Sequence, residues 1–237
     1  MEPNADRDSK HALIIGASRG LGLGLAREYL RRGWHVVASV RNNAGREALQ
    51  SLPAAVEGKL SVPTLDVNCR EDIDSLRRDL KEQPLDLLLI NAGVAGDPTV
   101  PAEEVSAYDF AEVMLTNALA PVRLTAAFNS HVKSGGVIAA MSSNMGSVSS
   151  NSGDGWEVYR ASKAALNQLM KSFAARHEGD CRTYLLVSPG WVRTDMGGSN
   201  APLDVETSAA GIADTIATFQ GAGGVHFVDY RCRAIPW

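Results

Sequence analysis

A doubly wound α/β fold is predicted, with about seven parallel strands in one sheet and helices on both faces. Two observations carry it. Short apolar runs recur along the chain without period-two alternation, as strands covered on both faces require. Amphipathic runs of helical spacing separate them, the pattern of right-handed parallel crossovers. At 237 residues, 45% hydrophobic and 21% charged, the chain is long enough for one such domain and its core. No repeat, low-complexity tail or strong linker divides it, so 1–237 is read as a single domain, with 1–9 expected to be flexible.

The elements follow in order. "HALIIG" (11–16) is the first strand, and "LGLGLAREYLRRG" (21–33) a helix that ends in glycine. "WHVVASV" (34–40) is the second strand and "NAGREALQSL" (43–52) a helix. "KLSVPTLDV" (59–67) reads as the third strand, weakened by Pro63. "REDIDSLRRDLKEQ" (70–83) is a charged amphipathic helix, and "PLDLLLINAG" (84–93) a strand apolar on both faces. Residues 101–135 form a long helix broken or kinked at Pro121. "GGVIAAMSS" (135–143) is the fifth strand, 144–155 a Gly/Ser/Asn loop, and 157–177 a helix. A sixth strand (181–190), a helix (204–220) and a last strand (224–229) complete the pattern, with 195–205 expected to be a mobile loop at the substrate site.

The formal charge is −4 and no basic stripe appears, which speaks against nucleic acid and anionic membrane as partners. No run of about 18 apolar residues exists to span a membrane. The opening "MEPNADRDSK" has no apolar core of signal-peptide type. Cys69, Cys181 and Cys232 are odd in number and far apart, so reduced thiols in a cytoplasmic setting are expected. His35, His131, His177 and His226 lie on separate elements without ligand spacing, and no metal is expected.

"IIGASRGLGLG" joins the first strand to the first helix. Gly16, Gly20 and Gly22 are spaced GxxxGxG, and Ser18, Arg19 and Leu21 complete the turn. Such glycines permit a tight turn and close approach of a pyrophosphate, while the helix N-terminus offers N–H groups and a positive dipole end. Neither GxGxxG nor GK[ST] is present. The second strand ends in "SVRNN", with Arg41 where an NAD-binding fold carries a ribose-binding carboxylate. Arg41 with Arg19 suits a 2′-phosphate, so NADP(H) is expected over NAD(H). Asp66, followed by Val67, stands either to accept from the adenine amino group or to cap the next helix.

"EVYRASKAALNQLMKSF" places Tyr159 and Lys163 one helical turn apart on one face. An ammonium beside a phenol favours the phenolate and lowers its pKa, so proton exchange with a substrate oxygen near neutral pH is expected. A long cation there also reaches ribose hydroxyls. A reducible carbonyl needs a hydrogen-bond donor where negative charge develops. Ser142 and Ser143 stand at the end of the fifth strand; alternation allows only one to face the cleft, and the pattern leaves both open. Asn144, Met145, Trp156, Trp191 and Met196 flank the expected cleft and suggest a hydrophobic or aromatic substrate.

Over about 10–237 these motifs, taken in order, resemble the short-chain dehydrogenase/reductase family. The glycine motif is Gly16 to Gly22, with Ile15 for the usual Thr; the NNAG motif is Ile90, Asn91, Ala92 and Gly93, with Ile for the first Asn. YxxxK is Tyr159 to Lys163, and the PG motif is Pro189-Gly190, followed by Val192 and Thr194. The resemblance implies a Rossmann-type domain and interconversion of a carbonyl and an alcohol with NADP(H). It makes Tyr159 the acid/base, Lys163 its tuner and ribose ligand, and Ser143 the oxygen-stabilising hydroxyl. It gives Asn117 a water leading from Lys163 to solvent, and Asn91 a place by the adenine pocket. Pro189, Val192 and Thr194 then line the nicotinamide side. Sixteen positions separate Ser143 from Tyr159, longer than is usual in the family, and alignment can slide to Gly146 or Ser147. The subgroup of C-factor-like proteins and sniffer-type carbonyl reductases tolerates that length, and the ending "FVDYRCRAIPW" resembles it too. The rival implied by that subgroup is a nucleotide-binding signal or sensor acting through a partner. The segments 101–134 and 157–177 carry Ala-rich faces; in the family that the chain resembles, such helices commonly build a two-fold interface, so the resemblance implies a homodimer or homotetramer.

Overall fold

The computed structural model describes residues 9–52, 58–81 and 83–237; the stretch expected to be flexible lies outside them up to residue 8. Seven strands form one sheet: β1 (His11–Ile15), β2 (His35–Ser39), β3 (Leu60–Ser61), β4 (Leu85–Ile90), β5 (Val132–Met141), β6 (Thr183–Ser188) and β7 (Val225–Asp229). Their order is β3-β2-β1-β4-β5-β6-β7, every pair parallel. Strand order reverses between β1 and β4, so their carboxyl ends open a crevice where doubly wound sheets hold ligands.

The helices are α1 (Gly20–Arg31), α2 (Asn43–Gln50), α3 (Arg70–Leu80), α4 (Ala107–Met114), α5 (Ala120–Phe128), α6 (Glu157–Arg176) and α7 (Val205–Thr218). Strand alternation divides the core between two faces. Ala12, Ile14, Leu87 and Leu89 pack with Leu25 and Tyr29 of α1, Leu49 of α2 and Ile212 of α7. Leu13, Ile15, Leu88 and Ile90 pack with Ile73 of α3, Leu124 of α5 and Leu166 and Met170 of α6. This double burial explains the unbroken apolar runs. No described helix is long and apolar enough to cross a membrane.

Two expected elements come out differently at a proline, and the fifth strand begins at Val132 rather than 135, since the helix expected to reach 135 ends at Phe128. The third strand spans Leu60–Ser61 rather than 59–67. Pro63 has no N–H for the ladder, and beyond it only a single bridge, Val40 to Thr64, continues the pairing. The expected helix over 101–135 begins at Ala107, where the Ser106 hydroxyl accepts from the Asp109 N–H, and it contains a π-turn at Leu115–Leu119. Pro121 follows at the start of α5. It cannot donate to the carbonyl four residues back, that of Asn117, and its ring crowds it, so the turn widens there.

Candidate active site

The crevice begins at the β1–α1 junction. Gly16 has a φ of +85°, and a Cβ there would lie 2.8 Å from the Ala92 backbone; one at Gly22 would lie 2.1 Å from the Gly16 carbonyl oxygen. The turn is held from both sides. The Gly16 N–H donates to the Ser39 hydroxyl (3.2 Å), the Ala17 N–H to the Ser39 carbonyl (2.8 Å), and the Asn91 amide to the Gly16 carbonyl (2.8 Å). Ser39, at the end of β2, went unread in the sequence because a strand serine carries no spacing signal. No side chain caps α1, whose first-turn N–H groups point at the crevice end.

Ser18 packs against Gly45 of α2, and Leu21 rests on the α1 side of the core. Arg19 is paired with Asp195 across the crevice mouth, and Arg41 is exposed. Asp66 accepts from the Asn68 N–H (2.9 Å) in a local turn, while Cys69 occupies the N-cap position of α3. Capping of α3 is therefore not the work of the Asp66 side chain. Val67 packs on the other face's core, as does Ala92.

At the end of β5 the two serines part, as strand alternation requires. Ser142 turns into the core and donates to Asn167 (2.7 Å). Ser143 turns to the cleft, accepts from the Met145 N–H (3.1 Å) and bears on the Tyr159 phenol. Ser147 accepts from the Ser150 N–H within its own turn (3.2 Å), and Gly146 packs against the backbone of Lys163. Asn144 donates from its N–H to Ser188 (3.0 Å).

Tyr159 and Lys163 share a face of α6, the Lys163 ammonium 5.6 Å from the phenol ring centre. The expected lowering of the phenol does not appear. Burial pushes Tyr159 up to about 12, with Ser143 pulling the other way. Lys163 is 4% exposed, and burial pushes it down to about 8; it donates to the Met141 carbonyl (2.8 Å). Desolvation outweighs the attraction that the spacing alone suggested.

Asn117 is fully buried in the π-turn. Its amide oxygen accepts from the Val94 N–H (2.8 Å), and its amide donates to the Val94 carbonyl (2.7 Å) and the Ser162 hydroxyl (3.0 Å). Ser162, also unread, donates to the Tyr159 carbonyl (2.7 Å). Gly93 borders both Asn117 Oδ1 and Lys163 Nζ. Trp156, left-handed at φ 55°, meets the Tyr159 ring edge-to-face at 5.7 Å. Opposite, Pro189 and Gly190 lead to Val192, which bridges to Leu203, and Thr194 reaches the Gly20 turn. Trp191 donates to the Gly197 carbonyl (2.7 Å) and is 57% exposed, and Met196 is exposed.

Comparison with known proteins gives a consistent picture. A family model described as short chain dehydrogenase matches residues 10–203. A carbonyl reductase from Pseudomonas aeruginosa PAO1, solved in complex with NADP, is 41% identical at a TM-score of 0.90, covering 97% of this chain and 100% of its own. The carbonyl reductase Sniffer of D. melanogaster is 31% identical at a TM-score of 0.88, over 97% of this chain and 100% of its own. C-signal of Myxococcus xanthus is 35% identical over 156 residues, 65% of this chain and 93% of its own.

Proposed function

The chain belongs to the short chain dehydrogenase family, and from that premise we propose that it interconverts a carbonyl and an alcohol by hydride transfer, with NADP(H) preferred over NAD(H). The observation that carries this is the meeting of Ser143, Tyr159 and Lys163 at the carboxyl edge of the sheet, beside an uncapped glycine turn. The glycine turn fits a dinucleotide, since a Cβ at Gly16 or Gly22 would meet backbone and the α1 N–H groups are not capped by a side chain. Asp66, Asn91 and Val67 would border the adenine half. Arg41 would meet a 2′-phosphate, joined by Arg19 once Asp195 lets it go.

When bound, the nicotinamide supplies or takes up the hydride. Every proton movement belongs to the chain. With a pKa of about 12, Tyr159 holds its proton at neutral pH and is ready to donate it to a carbonyl oxygen as hydride arrives. Ser143 donates a hydrogen bond to the same oxygen. Lys163, charged below about pH 8, favours the phenolate left behind and reaches for ribose. Asn117 ties the 93–94 backbone to α6 with its side chain. Its carbonyl, denied a donor by Pro121, is placed to hold a water that refills the proton. Trp156 and Met145 favour an apolar or aromatic carbonyl compound. Two copies are expected to join through α4 and α6, in a cytoplasmic setting that keeps the three cysteines reduced.

Tyr159→Phe tests the mechanism. Carbonyl reduction, followed by NADPH absorbance over a panel of ketones and aldehydes, is expected to fall by about 10²–10⁴-fold, with NADPH binding kept. Undiminished turnover in that variant would sink it.

A further inference from the structure

We propose that Ser149 and Trp237 form a strap that fixes one wall of the substrate cleft and so governs which carbonyl compounds enter. This rests on the hydride-transfer reading above. The segment from 144 to 155 touches the phenol at both its ends, through Ser143 before it and Trp156 after it. Its middle is held from far along the chain. Ser149 donates twice to the main-chain oxygen of Trp237, from its hydroxyl (2.8 Å) and from its N–H (3.3 Å).

Trp237 is itself anchored. Its ring meets Phe227 of β7 at 5.6 Å, and the Lys171 ammonium of α6 stands 4.6 Å from it. The chain reaches Trp237 by doubling back on β7. Asp229 accepts from the N–H groups of Arg231 and Arg233 (2.9 Å each), Ala234 bridges to Val228, and the Ile235 N–H donates to the Phe227 carbonyl (2.9 Å). The loop turn is internally bonded as well, from the Ser150 N–H to Ser147 (3.2 Å) and from the Asn151 N–H to the Val148 carbonyl (3.3 Å). The turn at 147–151 is therefore one unit, and Trp237 holds it. It carries Val148, 73% exposed, on the segment that runs between the two residues bearing on the phenol. A substrate too small to reach Val148 does not sense the strap; a bulky aryl ketone does. Ser149 and Trp237 are positioning residues, acting through the loop rather than on the reacting atoms.

Ser149→Ala and Trp237→Ala test this, with Ser149→Thr as the conservative control. Each is assayed with NADPH against a bulky aryl ketone and a small aliphatic aldehyde, with NADPH affinity and hydrogen exchange at 147–151 measured alongside. In the two alanine variants KM for the aryl ketone is expected to rise about tenfold, in Ser149→Ala from the loss of one hydrogen bond and in Trp237→Ala from the loss of the ring contacts that hold its main-chain oxygen in place. Kinetics on the aldehyde and NADPH affinity stay unchanged, exchange at 147–151 quickens, and Ser149→Thr behaves as the parent. An unchanged aryl-ketone KM, or an equal loss of kcat on both substrates, overturns the strap. If the parent protein reduces neither compound, the hydride-transfer reading is what fails. The strap is then judged on exchange alone, and unchanged exchange in both alanine variants overturns it.

Discussion

Lys163 keeps an ammonium inside the protein at neutral pH, and its lowered pKa measures the cost. Between about 8 and the usual 10.5 the unfolded chain binds a proton that the folded chain has released, so stability rises with pH through that window. Tyr159 acts in the opposite sense higher up: its folded value of about 12 exceeds the usual 10, so stability falls as pH climbs from 10 to 12. Relative to Lys163→Met, the parent protein is expected to gain up to about 3 kcal/mol between pH 7 and pH 10.5. Urea unfolding of both proteins at pH 7 and pH 10 checks the sign; a constant difference would refute it. The Tyr159–Lys163 pair was legible because helical spacing is written in sequence. Its electrostatics were not, because burial depends on what α6 packs against. The residue pattern alone leaves Ser142 and Ser143 open, and only the resemblance favours Ser143; the physical reason is Asn167, a partner for Ser142 on another element that no local pattern announces.

At the scale of elements, glycine and proline were the readable punctuation, and their consequences were physical rather than lexical. Pro63 and Pro121 were both flagged, yet one ends a strand and the other widens a helix. The difference lies in which neighbour loses its donor. The β1–α1 junction depends on close backbone approach, and its test is Gly22→Ala. The new methyl would meet the Gly16 carbonyl, which is backbone and cannot swing aside. A loss of about 1–3 kcal/mol is expected by thermal unfolding, with NADPH affinity by fluorescence titration weakened at least tenfold. A variant binding NADPH as the parent does would show that the turn is not where the dinucleotide sits. Ser39 remained invisible in the sequence because it props the β1–α1 turn from a different strand, and Ser162 because its tie to the Asn117 side chain crosses to another element.

For the whole molecule, the alternation of apolar and amphipathic runs specified the architecture nearly completely, since two-sided burial leaves few other arrangements for such strands. What it left open is how copies meet. Tyr108 and Phe110 of α4, Leu115 of the π-turn and Leu169 of α6 are all exposed, the first at 78%. Large apolar side chains grouped on neighbouring helices favour self-association. Light scattering at micromolar concentration is expected to report a dimer or tetramer, and Leu169→Glu with Tyr108→Glu to lower the mass; a monomeric parent would refute this.

The two outermost strands bear on the same question. A long bare strand invites another chain to add to it. β3 offers two residues before Pro63 interrupts, and the outer side of β7 is partly taken by the returning Ala234 and Ile235 backbone. The sheet therefore has little left to extend. Among the described residues neither outer strand offers a long template for a fibre, so any copies of this chain are expected to meet face to face through helices.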